Sequence, residues 1–171
     1  MSPLDGVGYQ WKSGAMTEQR IISTEREIAL PAAEIFKLIA DPSRHPQFDG
    51  NDNLAHADQG QRINRVGQSF TMELTSGKQR VNEIVEFEEG RVIAWKPAPV
   101  GEEAPGHLWR WELEPIDNVT TLVRHTYDWS QLTDEGRFDR ARANTKEALD
   151  RSVTKLAEVA EALDAGAEVT D

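Results

Sequence analysis

The chain has 171 residues and a net charge of −11, with 19 basic against 30 acidic side chains. An acidic surface repels nucleic acid and anionic membranes, so neither is an expected partner. There are no cysteines, which excludes disulfides, thiolate metal sites and cysteine nucleophiles.

Residues 1–18 are glycine-rich and without period, and read as a flexible leader ahead of one domain over 19–165 and a tail over 166–171. The leader lacks the continuous apolar stretch of a signal peptide, and no run approaches the ~20 apolar residues that span a bilayer. A cytoplasmic protein is the simplest expectation. Arg20 to Leu30 is rich in β-branched residues and predicts a first strand. Pro31 suits the first turn of a helix, whose apolar face is Ile35, Phe36 and Ile39 with Leu38 beside it. Asp41-Pro42 ends that helix, and Pro42 to Phe48 reads as a second short helical piece. Gly50 to Gly60 is polar and reads as a loop.

From Val66 to Trp129 the period is two. Phe70, Met72 and Leu74 alternate with polar residues, and Ser76-Gly77 marks a hairpin. Val81, Val85 and Phe87 share parity with Glu83, and Val92 to Trp95 continues as a strand ended by Pro97. His107, Trp109, Trp111 and Leu113 alternate with Arg110, Glu112 and Glu114. Val123, His125, Tyr127 and Trp129 alternate with Leu122, Arg124, Thr126 and Asp128. These are meandering antiparallel strands with one wet and one dry face. Leu149, Val153, Leu156, Ala160 and Leu163 then recur at helical spacing. Asn144 with Glu147 resembles a capping box, so the main helix is expected to start near Asn144 and end near Gly166.

The expected fold class is therefore α+β: a bent antiparallel sheet of six or seven strands wrapped round one long C-terminal helix, with two short helices after the first strand. One helix cannot fill the concave side of so large a twisted sheet. Large side chains or a cavity must occupy the rest.

Three stretches carry a family resemblance: Asp41-Pro42-Ser43-Arg44-His45-Pro46, the run from Thr121 to Ser130, and the tail from Asn144 through Ser152 to Leu156-Ala157. Together they resemble the polyketide cyclase/dehydrase-like branch of the SRPBCC superfamily, which includes START lipid-transfer domains and the birch-pollen allergen family. The glycine-rich loop of the allergen branch is not evident. The resemblance implies a helix-grip fold and an internal hydrophobic cavity. It carries over no catalytic residue and implies no cofactor, because the family has no universal catalytic group.

Odd positions of the late strands place Trp109, Trp111, His125, Tyr127 and Trp129 on the expected cavity wall. Phe70, Met72 and Leu74 line it from an earlier strand, and Phe36, Leu149 and Leu156 close it from the helices. Flat rings with a few polar handles suit an aromatic or steroid-like guest. Any one of these side chains is equally at home in ordinary core packing. Glu83, His107 and His125 share the wall's parity, and a Glu83–His125 pair has the groups for the general base and acid of a cyclisation and dehydration. The plainer account puts Glu83 near a strand edge in solvent and bonds the histidines to backbone or water. The four histidines show no metal-ligand spacing, and there is no phosphate-binding glycine loop or nucleophile elbow. Arg137, Arg140, Arg142 and Arg151 read as a solvated helix face, with Arg142 the one placed to meet an anionic ligand group.

Three functions fit: binding of a hydrophobic or aromatic small molecule in the cavity, a polyketide-type cyclase or dehydratase using the same cavity, or a chaperone co-activator-like interaction protein. A homodimer is compatible with each.

Overall fold

The computed structural model describes residues 9–12 and 15–167. Within the segment read as a leader, Tyr9–Lys12 (β1) and Ala15–Glu18 (β2) pair as a small antiparallel hairpin, a feature that glycine-rich sequence without period did not announce. The main sheet has seven strands: β3 (Ile21–Ile28), β4 (Leu54–His56), β5 (Ser69–Leu74), β6 (Gln79–Glu88), β7 (Val92–Pro99), β8 (Leu108–Asp117) and β9 (Thr120–Asp128). The spatial order is β3-β9-β8-β7-β6-β5-β4, and every pair is antiparallel. β4 to β9 thus form a meander, and the first long strand closes it against the last. The helices are α1 (Ala32–Ile39), α2 (Phe138–Arg142) and α3 (Lys146–Ala162), with a 3-10 turn over Pro42–Phe48. This is the expected helix-grip: a curled sheet holding one long C-terminal helix.

Four local expectations change. The stretch from Gly50 to Gly60 is not all loop, because Leu54–His56 adds a short edge strand to β5. Pro97 does not end β7, which runs on to Pro99. β8 pairs with β7 only between Val92 and Trp95, so beyond Trp95 one edge of β7 is free and proline is tolerated there. The cap of α3 is Thr145, not Asn144: the Thr145 hydroxyl accepts from the Ala148 N–H at 3.1 Å, while the Asn144 side chain accepts from Asn51. Finally, β6 carries a bulge between Ile84 and Glu86. An extra residue reverses which parity faces inward. Asn82 and Ile84 point inward before it and Phe87 after it, so Glu83 stands outside rather than with the wall.

The apolar interior falls into two clusters. The larger joins α1 (Ile35, Phe36, Ile39) and the second half of α3 (Val153, Leu156, Ala157, Ala160) to Ile28, Ile84, Ile93, Leu113 and Val123 of the sheet. The smaller gathers Tyr127, Trp129, Leu132, Ala141 and Leu149 around α2 and the start of α3. Trp109 touches both. α3 reaches across both clusters, and the loop before β4 is clamped to it. The Gly50 N–H donates to Ser152 Oγ at 2.9 Å, and Arg151 donates back to the Gly50 carbonyl at 3.0 Å.

Candidate ligand-binding site

Between the two clusters lies a hollow of about 490 Å3, within the size range of small-molecule sites. Its opening follows from side-chain size along α3. The second half of the helix presents Leu156 and its neighbours and seals against α1, whereas the first half presents Ala148, Leu149 and Ser152 to the space. Two small residues one turn apart leave room that the sheet does not fill.

The wall is largely aromatic. Trp109 of β8 lies opposite Trp95 of β7 and Tyr127 of β9, and Trp111 lies opposite His125. His125 stacks between Trp111 and Trp109, at 3.7 Å and 5.5 Å between centroids. Tyr127 packs on Trp109 at 4.4 Å. From the other side, Phe70, Met72 and Leu74 project from β5. His45, delivered by the 3-10 turn, stacks on Trp95 at 5.2 Å and meets Phe70 and Phe48 edge-on.

Of the residues singled out from sequence, Phe70, Met72, Leu74, His107, Trp109, Trp111, His125, Tyr127 and Leu149 line the hollow. Phe36, Leu156 and Trp129 do not; Trp129 is packed in the smaller cluster, edge-on to Phe138 at 5.4 Å. Phe36 and Leu156 are sealed in the larger cluster, Phe36 edge-on to Phe87 at 5.8 Å and Leu156 about one turn past Ser152 on α3. Glu83 faces solvent opposite Ser69 and Lys96, so it does not meet His125. Arg142 is occupied elsewhere, bonded to Glu18 at 2.6 Å and to Asp139, with its guanidinium near Trp129 and Phe138. Sequence reasoning missed Trp95, His45, Asn82, Arg80, Arg137 and Arg140, which line the space. Arg80 and Asn82 were legible in principle: they sit opposite Met72 and Phe70, on the face those apolar residues already mark as inward.

Two imidazoles define the polar character of the wall. His45 Nε2 lies 2.7 Å from the Ile39 carbonyl and His125 Nδ1 lies 3.2 Å from that of Arg110. Burial lowers the pKa of His45 to about 4 and of His125 to about 3, against weaker support from those carbonyls. Both rings are therefore neutral near pH 7, and each spends its one N–H on the backbone. The second nitrogen of each neutral ring is an acceptor, and both histidines line the hollow. Tyr127 stays a neutral phenol, its pKa pushed up to about 12 by burial. Among the described residues no three histidine or carboxylate groups gather as a metal site would require.

Comparison with known proteins agrees with this fold. Residues 19–161 match the family model described as polyketide cyclase/dehydrase and lipid transport. An uncharacterised protein of Mycobacterium tuberculosis is 34% identical over 112 residues, covering 63% of this chain and 47% of that protein. The chain thus spans about half the length of the curated relatives it matches. Among solved structures, protein NE0264 of Nitrosomonas europaea superposes with a TM-score of 0.64 at 15% identity, covering 85% of this chain and 96% of that one. Protein MLL2253 of Mesorhizobium loti gives 0.62 at 17% identity, covering 83% and 97%. Identities this low speak to the fold alone. No helix among the described residues is long and apolar enough to cross a membrane.

Proposed function

Because the chain belongs to the polyketide cyclase/dehydrase and lipid-transport family, we propose that it is a container for an apolar or aromatic small molecule. The observation that carries this reading is the hollow itself, open where α3 presents Ala148 and Ser152 and walled by Trp95, Trp109, Trp111 and Tyr127. A planar guest stacks on the indoles, and a guest hydroxyl donates to the second nitrogen of His45 or His125.

Binding is favoured over catalysis by the state of the titratable groups. A cyclase of the kind considered from sequence needs a base that takes a proton next to a carbonyl near neutral pH. An imidazole held at about 3 is a weak base, and Glu83 lies outside. Family membership and the hollow support binding.

The test is a titration with N-phenyl-1-naphthylamine, a neutral probe whose emission rises in apolar surroundings. The expected result is a saturable rise at one probe per chain, with quenching of tryptophan emission. A flat response, with this probe and across a varied panel of aromatic compounds, overturns the reading.

A further inference from the structure

The hollow has a charged end that the aromatic wall does not explain. β7 and β8 are paired only as far as Trp95 opposite Trp109. Past that point β7 stays with β6, to Arg80 opposite Pro99, while β8 stays with β9, to Leu108 opposite Asp128. The sheet therefore parts, and Arg80 lies on the β6 side of the gap while His107 lies just before β8 on the other. α2 and the turn before it bring Arg140 and Arg137 to the same hollow.

The charges lining the hollow are uneven. Lys78, Arg80, Arg137 and Arg140 line it against one carboxylate, Asp49, among the described residues. Asp49 is already committed: its oxygens accept the backbone N–H groups of Asn51, Asn53 and Leu54 at 3.0, 2.6 and 2.8 Å. Arg137 is bridged to Asp134 at 3.3 Å. For Arg80 and Arg140, no described carboxylate comes within bridging distance; Glu102 acts on Arg80 only from further away. In a protein of net charge −11, guanidiniums without a bridging carboxylate in the lining of a cavity create a local field opposite to that of the molecule.

We infer that this end is an anion site, and that the guest is an amphipathic aromatic acid whose oxyanion is held by Arg80 and Arg140, with Arg137 behind, while its rings lie on Trp109 and Trp111. The inference rests on the container reading and adds the polarity of the guest. Guanidinium and carboxylate match in geometry, two parallel N–H donors to two oxygens. His107, on the other side of the gap, is lowered to about 4, by burial first and then by Arg137, Arg80 and Arg140. Arg80 is itself lowered by burial, Arg140 and Arg137. An anion bound among these groups relieves that repulsion.

The test is competition for bound N-phenyl-1-naphthylamine between naphthalene-2-carboxylate and naphthalene-2-carboxamide, which share shape and differ in charge, at pH 7.5 and low salt. The expected result is a preference for the carboxylate of about tenfold, shrinking as salt rises. Arg80→Gln and Arg140→Gln each reduce that preference, and urea midpoints close to that of the wild type show that the variants fold. Arg80→Lys, which keeps the charge without the fork, restores part of it. A carboxylate and carboxamide that compete equally, or a preference untouched by both glutamine variants, overturns the anion site and leaves the container standing. Failure of the neutral probe to bind the wild-type chain overturns both.

Discussion

His125 and Trp111 face each other across the β8–β9 ladder with ring centroids 3.7 Å apart and planes 17° from parallel. The stack, together with the contact to the Arg110 carbonyl, fixes the ring in the wall of the hollow. His125→Phe keeps an aromatic ring in the stack and deletes the acceptor. The variant is expected to fold, and to lose most of the affinity advantage of 2-naphthol over naphthalene, about 1 kcal/mol for one hydrogen bond. Displacement of N-phenyl-1-naphthylamine by the two compounds measures it; an unchanged advantage removes His125 from ligand recognition.

Stability falls with pH in a definite window. His45, His125 and His107 have folded pKa values of about 4, 3 and 4, below the 6.5 of an unfolded histidine. Between those values the unfolded chain binds protons that the folded chain does not, so stability is full above about 6.5 and is lost as pH falls toward 4. Each histidine contributes up to roughly 1.4 kcal/mol per pH unit in that window. Glu86, lowered mainly by its bond to Arg110, adds to the loss in the same direction at lower pH. Urea midpoints at pH 7.5, 6 and 5 test this, and a midpoint that holds steady from 7.5 to 5 contradicts it.

Leu156 marks the sealed half of α3. It is fully buried between α1 and the sheet. Leu156→Ala is expected to cost about 2–5 kcal/mol by leaving a cavity, and Leu156→Arg to prevent folding by burying an unpaired charge. Thermal melts followed by circular dichroism distinguish this from an exposed helix face, on which neither change would register.

Gly50 tests the clamp between the loop and α3. A Cβ placed there lies 2.6 Å from the Ala148 carbonyl oxygen and 2.7 Å from the Ser152 N–H nitrogen, both helix backbone. Gly50→Ala must push the loop off the helix beside the hollow, at about 1–3 kcal/mol. A denaturant midpoint equal to that of the wild type is the outcome that refutes it.

Glu83→Gln is expected to do little. The side chain is exposed on the outer face of β6, so stability should stay within about 0.5 kcal/mol and probe affinity should not change. A marked loss of binding restores Glu83 to the site and requires β6 to pair in another register.

Much of the fold was legible because alternation and helical spacing are properties of the chain. Phe70, Met72 and Leu74, then Trp109 and Trp111, then His125 and Tyr127, each follow a local two-residue period, and a period of two assigns faces without knowledge of the partner strand. The bulge in β6 has no such signature. It arises where two strands of unequal local length must stay paired, so the reversal that carries Glu83 outward and Asn82 inward depends on β7 as much as on β6.

The sequence alone was enough to determine a wet-and-dry meander, a long covering helix and an aromatic inner face, because each depends on residues near one another in the chain. Only the tertiary structure decided which part of the interior is filled and which is empty. Leu156 and Leu149 carry the same spacing signal, yet α1 reaches the first and not the second. Only the fold, likewise, brought Arg80 to the same space as Arg137 and Arg140, since charges more than fifty residues apart share a field only once the sheet has curled and parted.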